Sequence, residues 1–269
     1  MKKLLQLANA LSFIGMVILN YLSNTGILNN TTIGEVSKHY TTLFTPASYA
    51  FSIWGLIYVL VLGFVIYQGR SLFVTVRDDD FVLKTGWWFV LSCIANCLWI
   101  VAWIYEYTLL SSVFIFVLLF ALIQIVLKHK MELYDAPISV IAFLWWPFVF
   151  YSGWITVASI ANVSAVLVKY NWDGFGLSPT FWAVSVIAIA TIINLVVTWR
   201  RNMREFALVG AWALVAIYVA NNAINMTVAY TALGAAILLT VSSLYQGYIN
   251  RETNPVTKCL EFFKTRKLS

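Results

Sequence analysis

Charged side chains are scarce in this sequence of 269 residues, in which Asp, Glu, Lys and Arg together make up 10%. None of them lies inside an apolar run long enough to span a membrane. Proton pumps, voltage sensors and charge-relay transporters usually need ionisable groups within the membrane, so the sequence argues against all three classes. A retinal-binding protein is excluded as well, because no late helix contains a lysine that could form the Schiff base.

Cysteine and histidine are rare, with three and two residues. Cys93 and Cys97 are four residues apart on one predicted helix, a spacing suited to packing but not to a disulfide bond, and Cys259 lies in a basic tail. His39 and His129 fall in predicted loops without a His or Cys partner at ligand spacing. We therefore expect no protein-bound metal, no covalently bound cofactor and no constellation of acid, base or nucleophile for catalysis.

Apolar residues dominate the chain, which is 61% hydrophobic and has a mean hydropathy of +0.83. This content is far above that of soluble domains and indicates an integral membrane protein. The apolar runs predict an all-α bundle of about eight transmembrane helices, and the first run is retained because no clear cleavage site follows it. The predicted spans are residues 4–22, 46–68, 86–105, 109–127, 137–162, 179–199, 206–221 and 226–248.

The basic residues predict the orientation of these helices. Of the 17 Lys and Arg residues, all but Lys38 and Lys169 fall on one side of the predicted membrane. By the positive-inside rule that side is cytoplasmic, which places both termini inside, in a bacterial cytoplasmic membrane. The net charge of +6 is therefore explained by membrane orientation, and we expect no nucleic-acid partner. The basic tail 251–269 either lies along an anionic inner leaflet or is disordered.

Aromatic residues make up 16% of the chain, and the 12 tryptophans exceed what interfacial belts usually require. One aromatic stripe lies on the predicted third helix, within an arc of about 80°, and contains Trp88, Ser92, Asn96, Trp99 and Trp103. Trp88 and Trp103 are near the helix ends, where tryptophan prefers the membrane interface. Asn96 and Trp99, near the middle of the span, are therefore the informative pair.

Two other helices carry similar stripes. On the fifth helix Trp154, Ala158 and Asn162 are spaced four apart, so they share a face that could form the wall of a site for a flat ligand. An alternative interpretation is that Trp154 packs against neighbouring helices and Asn162 hydrogen-bonds across them. The second helix presents three aromatic residues within about 60° of each other, Phe51, Trp54 and Tyr58.

Two local features should shape the bundle. Pro147, inside the fifth helix, is expected to bend it and to free a backbone carbonyl. The polar segment 23–43 is long for a membrane loop and is expected to fold over one mouth of the bundle.

The three stripes, in this order, resemble the TspO/MBR family, the tryptophan-rich sensory proteins whose eukaryotic relatives are the mitochondrial translocator or peripheral benzodiazepine-receptor proteins. The segment from Pro46 to Tyr58 looks like the family's P-x-W-x-F-G-P-V-W-T-x-L-Y, although Tyr49 stands near the first Trp, the spacing from Phe51 to Trp54 is one residue shorter and the internal Pro is missing. The segment 96–99 is similar to its N-x-x-W. The stripe of the fifth helix is similar to its W-x3-A-x3-N, with Pro147 three residues further upstream than expected.

This resemblance covers about residues 1–170 and implies a TspO-like five-helix bundle, followed by a three-helix segment at 171–250 and the tail 251–269. It also implies a pocket roofed by the loop after the first helix, which binds flat hydrophobic molecules such as porphyrins, haem and, in some members, sterols. Because family members are often dimers, a homodimer is a further expectation. With the aromatic stripe of the second helix included, the candidate ligand-binding residues are Phe51, Trp54, Tyr58, Asn96, Trp99, Trp154, Ala158 and Asn162.

Three functions compete. A membrane receptor or sensor for such a ligand ranks first. A transporter ranks second, because the kinked helix and the midplane amides would suit an uncharged substrate, but the sequence shows neither inverted repeats nor paired broken helices. Modification of a porphyrin has been proposed for some family members, with tryptophans as the reactive side chains. It ranks third because this sequence contains no constellation of acid, base or nucleophile.

Overall fold

The computed structural model describes residues 1–76, 79–255 and 257–260, and these residues form helices and loops without a strand. Eight long helices run in alternating directions. Their bounds are α1 Lys2–Leu22, α2 Ser48–Leu72, α3 Trp88–Ile104, α4 Thr108–Lys128, α5 Ile138–Lys169, α6 Pro179–Arg201, α7 Arg204–Asn221 and α8 Met226–Ile249. A short helix, Ile33–His39, lies between α1 and α2 and is called the loop helix below.

The predicted all-α membrane bundle is confirmed, because seven of these helices are long and apolar enough to cross a membrane. The other one, α3, has 17 residues, at the lower limit for a span. It begins later than predicted because Gly86, with a φ of 54°, ends the short preceding helix Phe81–Thr85.

Helices α5 and α7 form the centre of the bundle. In each of them 61% of the apolar window is buried, compared with 28–44% in the other five long spans. The helix α5 is irregular near the proline, since a π-helical turn at Ile141–Trp145 ends two residues before Pro147. Proline has no N–H to offer the carbonyl of Phe143, and the wider turn accommodates this missing bond.

Polar side chains join the first helices. Asn9 of α1 donates through Nδ2 to Oε1 of Gln68 in α2, at 2.8 Å. About three turns further along α1, Asn20 Nδ2 donates to Oδ1 of Asn96 in α3, also at 2.8 Å. Lipid tails are as apolar as leucine, so hydrogen bonds of this kind contribute to helix association where hydrophobicity alone does not.

The last three helices pack on the first five through α7. Gly153 of α5 permits this close approach, because a Cβ atom there would lie 3.2 Å from the carbonyl oxygen of Phe206 and from Cβ of Val209. The first turn of α2 is joined to α7 as well, since Trp212 Nε1 donates to the carbonyl of Ala50 at 3.2 Å. The predicted domain boundary near residue 170 falls in the loop between α5 and α6 and stays a prediction.

The two ends of the bundle differ in charge. Lys38 and Lys169 lie at the end that carries the loop helix, and the other basic residues that the structure describes lie at or beyond the opposite end. This distribution is the one on which the predicted orientation depends. Arg77, which belongs to the predicted basic side, and the last part of the tail, 261–269, lie outside the described residues.

Ionisable groups are buried at the opposite end, although none was found inside an apolar run. Glu132, in the loop before α5, is 7% exposed and lies 3.8 Å from Arg204, which is 6% exposed. Burial raises the pKa of Glu132 to about 8; the nearby charge of Glu205 acts in the same direction and Arg204 opposes it.

This arrangement predicts that stability falls with rising pH. An acid whose pKa is higher in the folded state contributes stability that is fully present below its ordinary pKa of 4.5 and is lost as the pH rises through about 8. The melting temperature of the purified protein should therefore fall between about pH 5 and pH 8.5, and Glu132→Gln should remove most of that fall. The exposed Glu252→Gln is the control and should keep the wild-type profile; identical profiles for both variants would contradict the prediction.

Candidate ligand-binding site

The aromatic stripes of α2 and α5 meet in the structure. The ring of Phe51 lies 5.9 Å from that of Trp154 at an angle of 82°, and Trp54 lies 6.4 Å from Trp154 at the same angle. Trp54 also stacks on Tyr58, with ring centroids 5.4 Å apart. Edge-to-face and offset arrangements are those that aromatic quadrupoles favour. The rings consequently support one another without a ligand.

A small cavity of about 50 Å³ lies between α2, α3, α5 and the loop helix. Six of the eight candidate ligand-binding residues line it, and Tyr58 and Asn96 do not. The lining candidates are Phe51, Trp54, Trp99, Trp154, Ala158 and Asn162. The rest of the wall consists of Ile33, Ser37, Tyr40, Thr45, Pro46, Trp103, Val157, Ala161 and Ala165.

Trp154 has an unused hydrogen-bond donor at this cavity. The side chain is 2% exposed, and its Nε1 has no hydrogen-bond partner among the described residues. A buried donor left without a partner costs about 1–3 kcal/mol. An acceptor on a ligand in the cavity would remove that cost.

Asn162, in contrast, is fully engaged by the protein. Its Oδ1 accepts from Trp99 Nε1 at 2.8 Å, and its Nδ2 donates to Ser112 Oγ at 2.7 Å and to Ser111 Oγ at 3.0 Å. These bonds join α3, α4 and α5. The geometry is that of the alternative interpretation, in which Asn162 hydrogen-bonds across helices, although its side chain also borders the cavity.

Asn96 and Tyr58 lie outside the cavity lining. Asn96 is fully buried and receives the hydrogen bond of Asn20, while its own Nδ2 has no partner among the described residues. The Tyr58 hydroxyl is likewise buried without such a partner. Both positions therefore leave polar groups unpaired in the helix bundle, but the structure does not bring them to the cavity.

The loop helix covers the cavity as a roof. It begins with a capping box, in which Thr32 and Glu35 exchange side-chain and backbone hydrogen bonds. Ile33 then accepts a hydrogen bond from Trp103 Nε1 at 3.2 Å, and the Tyr40 hydroxyl donates to Glu106 at 2.6 Å. The loop after α1 thus closes one mouth of the bundle.

The contact between Tyr40 and Glu106 is an ionic hydrogen bond at neutral pH. Burial, followed by the carboxylate of Glu106, raises the pKa of Tyr40 to about 12. The hydrogen bond from Tyr40, together with the neighbouring His39, lowers the pKa of Glu106 below its ordinary value. The phenol therefore stays a donor and the carboxylate stays an acceptor.

Nine wall residues were not among the predicted candidates, and two of them, Trp103 and Tyr40, were missed for different reasons. Trp103 was expected at the membrane interface, and this is wrong: it is 6% exposed and stacks on Trp99, because the loop helix covers the end of α3. Its place on the stripe four residues after Trp99 could have indicated this position. Tyr40 lies in a loop, where no periodicity indicates which way a side chain faces.

The cavity is suited to binding rather than to acid–base chemistry. Its walls are aromatic rings and small aliphatic side chains, and Tyr40 is the one ionisable residue among the described wall positions. No group of three or more His, Cys, Asp or Glu that could hold a metal ion occurs within the described ranges. Aromatic faces with few polar groups suit a flat apolar molecule.

A family model described as "TSPO-like protein" matches residues 6–245 of the chain. The matched range begins in α1 and ends in α8, so it includes the three helices that follow residue 170. No curated protein and no solved structure matches the chain significantly.

The network around Asn162 predicts a loss of stability on substitution. Asn162→Ala should lower the free energy of unfolding by about 1–2 kcal/mol, because it leaves the donors and acceptors of three helices unpaired. Thermal or denaturant unfolding in detergent measures this change. Asn222→Ala, at an exposed asparagine after α7, is the matched control and should unfold like wild type. Equal stability of the two variants would show that the network does not hold the bundle together.

Proposed function

Since the chain belongs to the TSPO-like protein family, a family of membrane ligand-binding or sensor proteins, we propose that it is a receptor for a flat hydrophobic ligand of the porphyrin or haem type. The observation that carries this proposal is the unpartnered Nε1 of Trp154 in the wall of the roofed aromatic cavity.

The cavity walls match such a ligand in shape and polarity. Trp54, Trp99 and Trp154 present ring surfaces or edges from three different helices. A planar conjugated ligand gains both area burial and aromatic contacts when it lies among such rings. The N–H of Trp154 would then donate to an acceptor of the ligand in an environment without competing water.

Binding requires the cavity to open. Pockets that hold small molecules usually measure about 300–1,000 Å³, whereas this cavity measures about 50 Å³. Movement of the loop helix would enlarge the cavity, because Ile33 and Ser37 of this helix and Tyr40, which directly follows it, form one wall. The structure accordingly represents the closed state of the proposed receptor.

The membrane orientation and the assembly complete the proposal. The basic end of the bundle faces the cytoplasm, so the roofed cavity opens toward the outer side of a bacterial cytoplasmic membrane. A homodimer is the assembly that the family resemblance implies. Transport of an uncharged molecule is a weaker alternative, because it would need a second opening toward the basic end.

Protoporphyrin IX titration of the purified protein tests the proposed site. Wild-type protein should show saturable quenching of tryptophan fluorescence. Trp154→Phe keeps a ring but lacks the N–H, and should weaken binding about five- to tenfold. Ala158→Phe, which fills the cavity, should abolish saturable quenching.

The matched control is Trp87→Phe, which removes one tryptophan at the far end of α3, where the side chain is 54% exposed. It should bind like wild type, and so should Asn96→Ala, since that residue lies outside the cavity. An unchanged affinity for protoporphyrin IX in Ala158→Phe would show that the ligand does not bind in this cavity. Absence of saturable quenching in the wild type would refute the porphyrin assignment itself.

A further inference from the structure

A second and larger cavity lies where the last three helices meet the first five. It is an open cavity of about 510 Å³, bordered by segment 41–45, the end of α5, loop 172–177, the start of α6 and the end of α7. This volume is within the range of small-molecule sites without any opening motion. Thr45 lines both cavities, so segment 41–45 separates the second cavity from the first.

Most of the wall of the second cavity is apolar. Aliphatic side chains come from α5, α6 and α7, and two tryptophans stand at the loop side. The rings of Trp172 and Trp182 are 4.9 Å apart and tilted by 58°. A ligand of this cavity must therefore carry an apolar body that can displace water from these surfaces.

The wall of the second cavity contains one carboxylate. Asp173 lies beside Trp172, and its carboxylate receives one hydrogen bond, from the backbone N–H of Phe175 at 3.0 Å. It forms no ion pair with the described residues, and none of the described wall residues is Lys, Arg or His. An exposed carboxylate in a wall that also contains two indoles favours a cation and disfavours an anion.

Asn221 adds a buried acceptor. The side chain is 2% exposed, and its Nδ2 donates to the carbonyls of Leu43 and Ile217, both at 2.9 Å. The hydrogen bonds that the described residues form with this side chain involve Nδ2 and not Oδ1. The donor side of this amide is thus fixed by the protein, whereas the acceptor side is available to an N–H group of a ligand.

The loop that carries Asp173 is held in place before any ligand arrives. Trp182 Nε1 donates to the carbonyl of Gly174 at 2.9 Å. Gly174 has a φ of 67°, and a Cβ atom there would lie 3.1 Å from Trp182 Nε1, so glycine is required at this position. The carboxylate and the two indoles are therefore preorganised relative to each other.

We propose that this cavity is a second binding site, independent of the receptor pocket, and that it binds a lipophilic amine, with the protonated nitrogen between Asp173 and the indoles and the apolar body against α6 and α7. The three-helix segment then has a function of its own, since it supplies Trp182, Asn221 and most of the apolar wall.

The test compares three ligands with the same chain and different head groups: N,N-dimethyldodecylamine, dodecanol and dodecanoate. Each is titrated into the full-length protein in phosphatidylcholine nanodiscs, and heat is measured after subtraction of empty nanodiscs. The amine should bind at least about tenfold more tightly than the alcohol or the carboxylate. Asp173→Asn should weaken amine binding about tenfold, and Ala220→Phe, which fills the cavity, should abolish it.

Two matched variants serve as controls. Glu35→Gln removes one negative charge at the same end of the bundle, and Ala223→Phe adds the same bulk three residues from Ala220 at an exposed position outside the cavity. Both should bind the amine like wild type. Equal affinity for the three head groups, or an unchanged affinity in Asp173→Asn, would overturn the proposal. Neither of these two results depends on a substitution in the packed core of the protein.

Ligand binding at the proposed receptor pocket is measured separately, by the protoporphyrin IX titration. Ala220→Phe should keep the protoporphyrin IX titration of wild type, because Ala220 does not line the first cavity. Loss of amine binding with intact porphyrin binding supports two independent sites. Amine binding that depends on Asp173 in a protein without porphyrin binding would leave the second site standing and refute the first.

Discussion

The hydrogen bonds of Asn162 are the interaction on which the arrangement of the first five helices depends. A single amide on α5 holds Trp99 of α3 and two serines of α4. Apolar side chains alone give little preference for one helix arrangement over another inside a bilayer, because lipid solvates them equally well. Hydrogen bonds of the side-chain amide, which have a fixed length and direction, supply that preference. The neighbouring hydrogen bond from Asn20 to Asn96 joins α1 to α3 in the same way.

This constraint also determines which groups remain for a ligand. Asn162 and Trp99 use their polar atoms to join helices, so these atoms are not available in the closed cavity. Trp154 lies two turns earlier on the same face of α5 and has no such partner among the described residues. A residue pattern that serves the scaffold at one end of a helix face can therefore serve recognition at the other, and the spacing of the residues does not distinguish the two uses.

The sequence was sufficient for the parts of the structure that follow a helical period. The apolar runs predicted the long helices, and spacings of three and four residues placed Trp54, Trp99 and Trp154 on polar or aromatic faces of their own helices. That these faces would line one pocket was implied by the family resemblance. Loops have no period, so neither the position of Tyr40 in the roof nor the position of segments 41–45 and 172–177 beside the second cavity could be derived. The burial of Glu132 beside Arg204 was missed for a related reason: charges at helix ends look solvated in a sequence, whereas here the tertiary packing buries both side chains.

The two cavities differ in how much of their binding energy must be spent on reorganisation. The first is closed by a roof whose outer attachment is the hydrogen bond between Tyr40 and Glu106, and that bond lies at the end of the bundle, where water can replace it. The inner attachment, from Trp103 to the backbone of Ile33, is buried and more costly to break. A ligand must compensate for that step before it gains contact with the rings. The second cavity has no comparable step, since its walls already stand apart and its loop is fixed by Trp182. Segment 41–45 borders both cavities, but most of the wall of the second cavity comes from α5, loop 172–177, α6 and α7. The second site therefore does not need the roof of the first cavity to move, which is the physical reason for treating the two sites as independent.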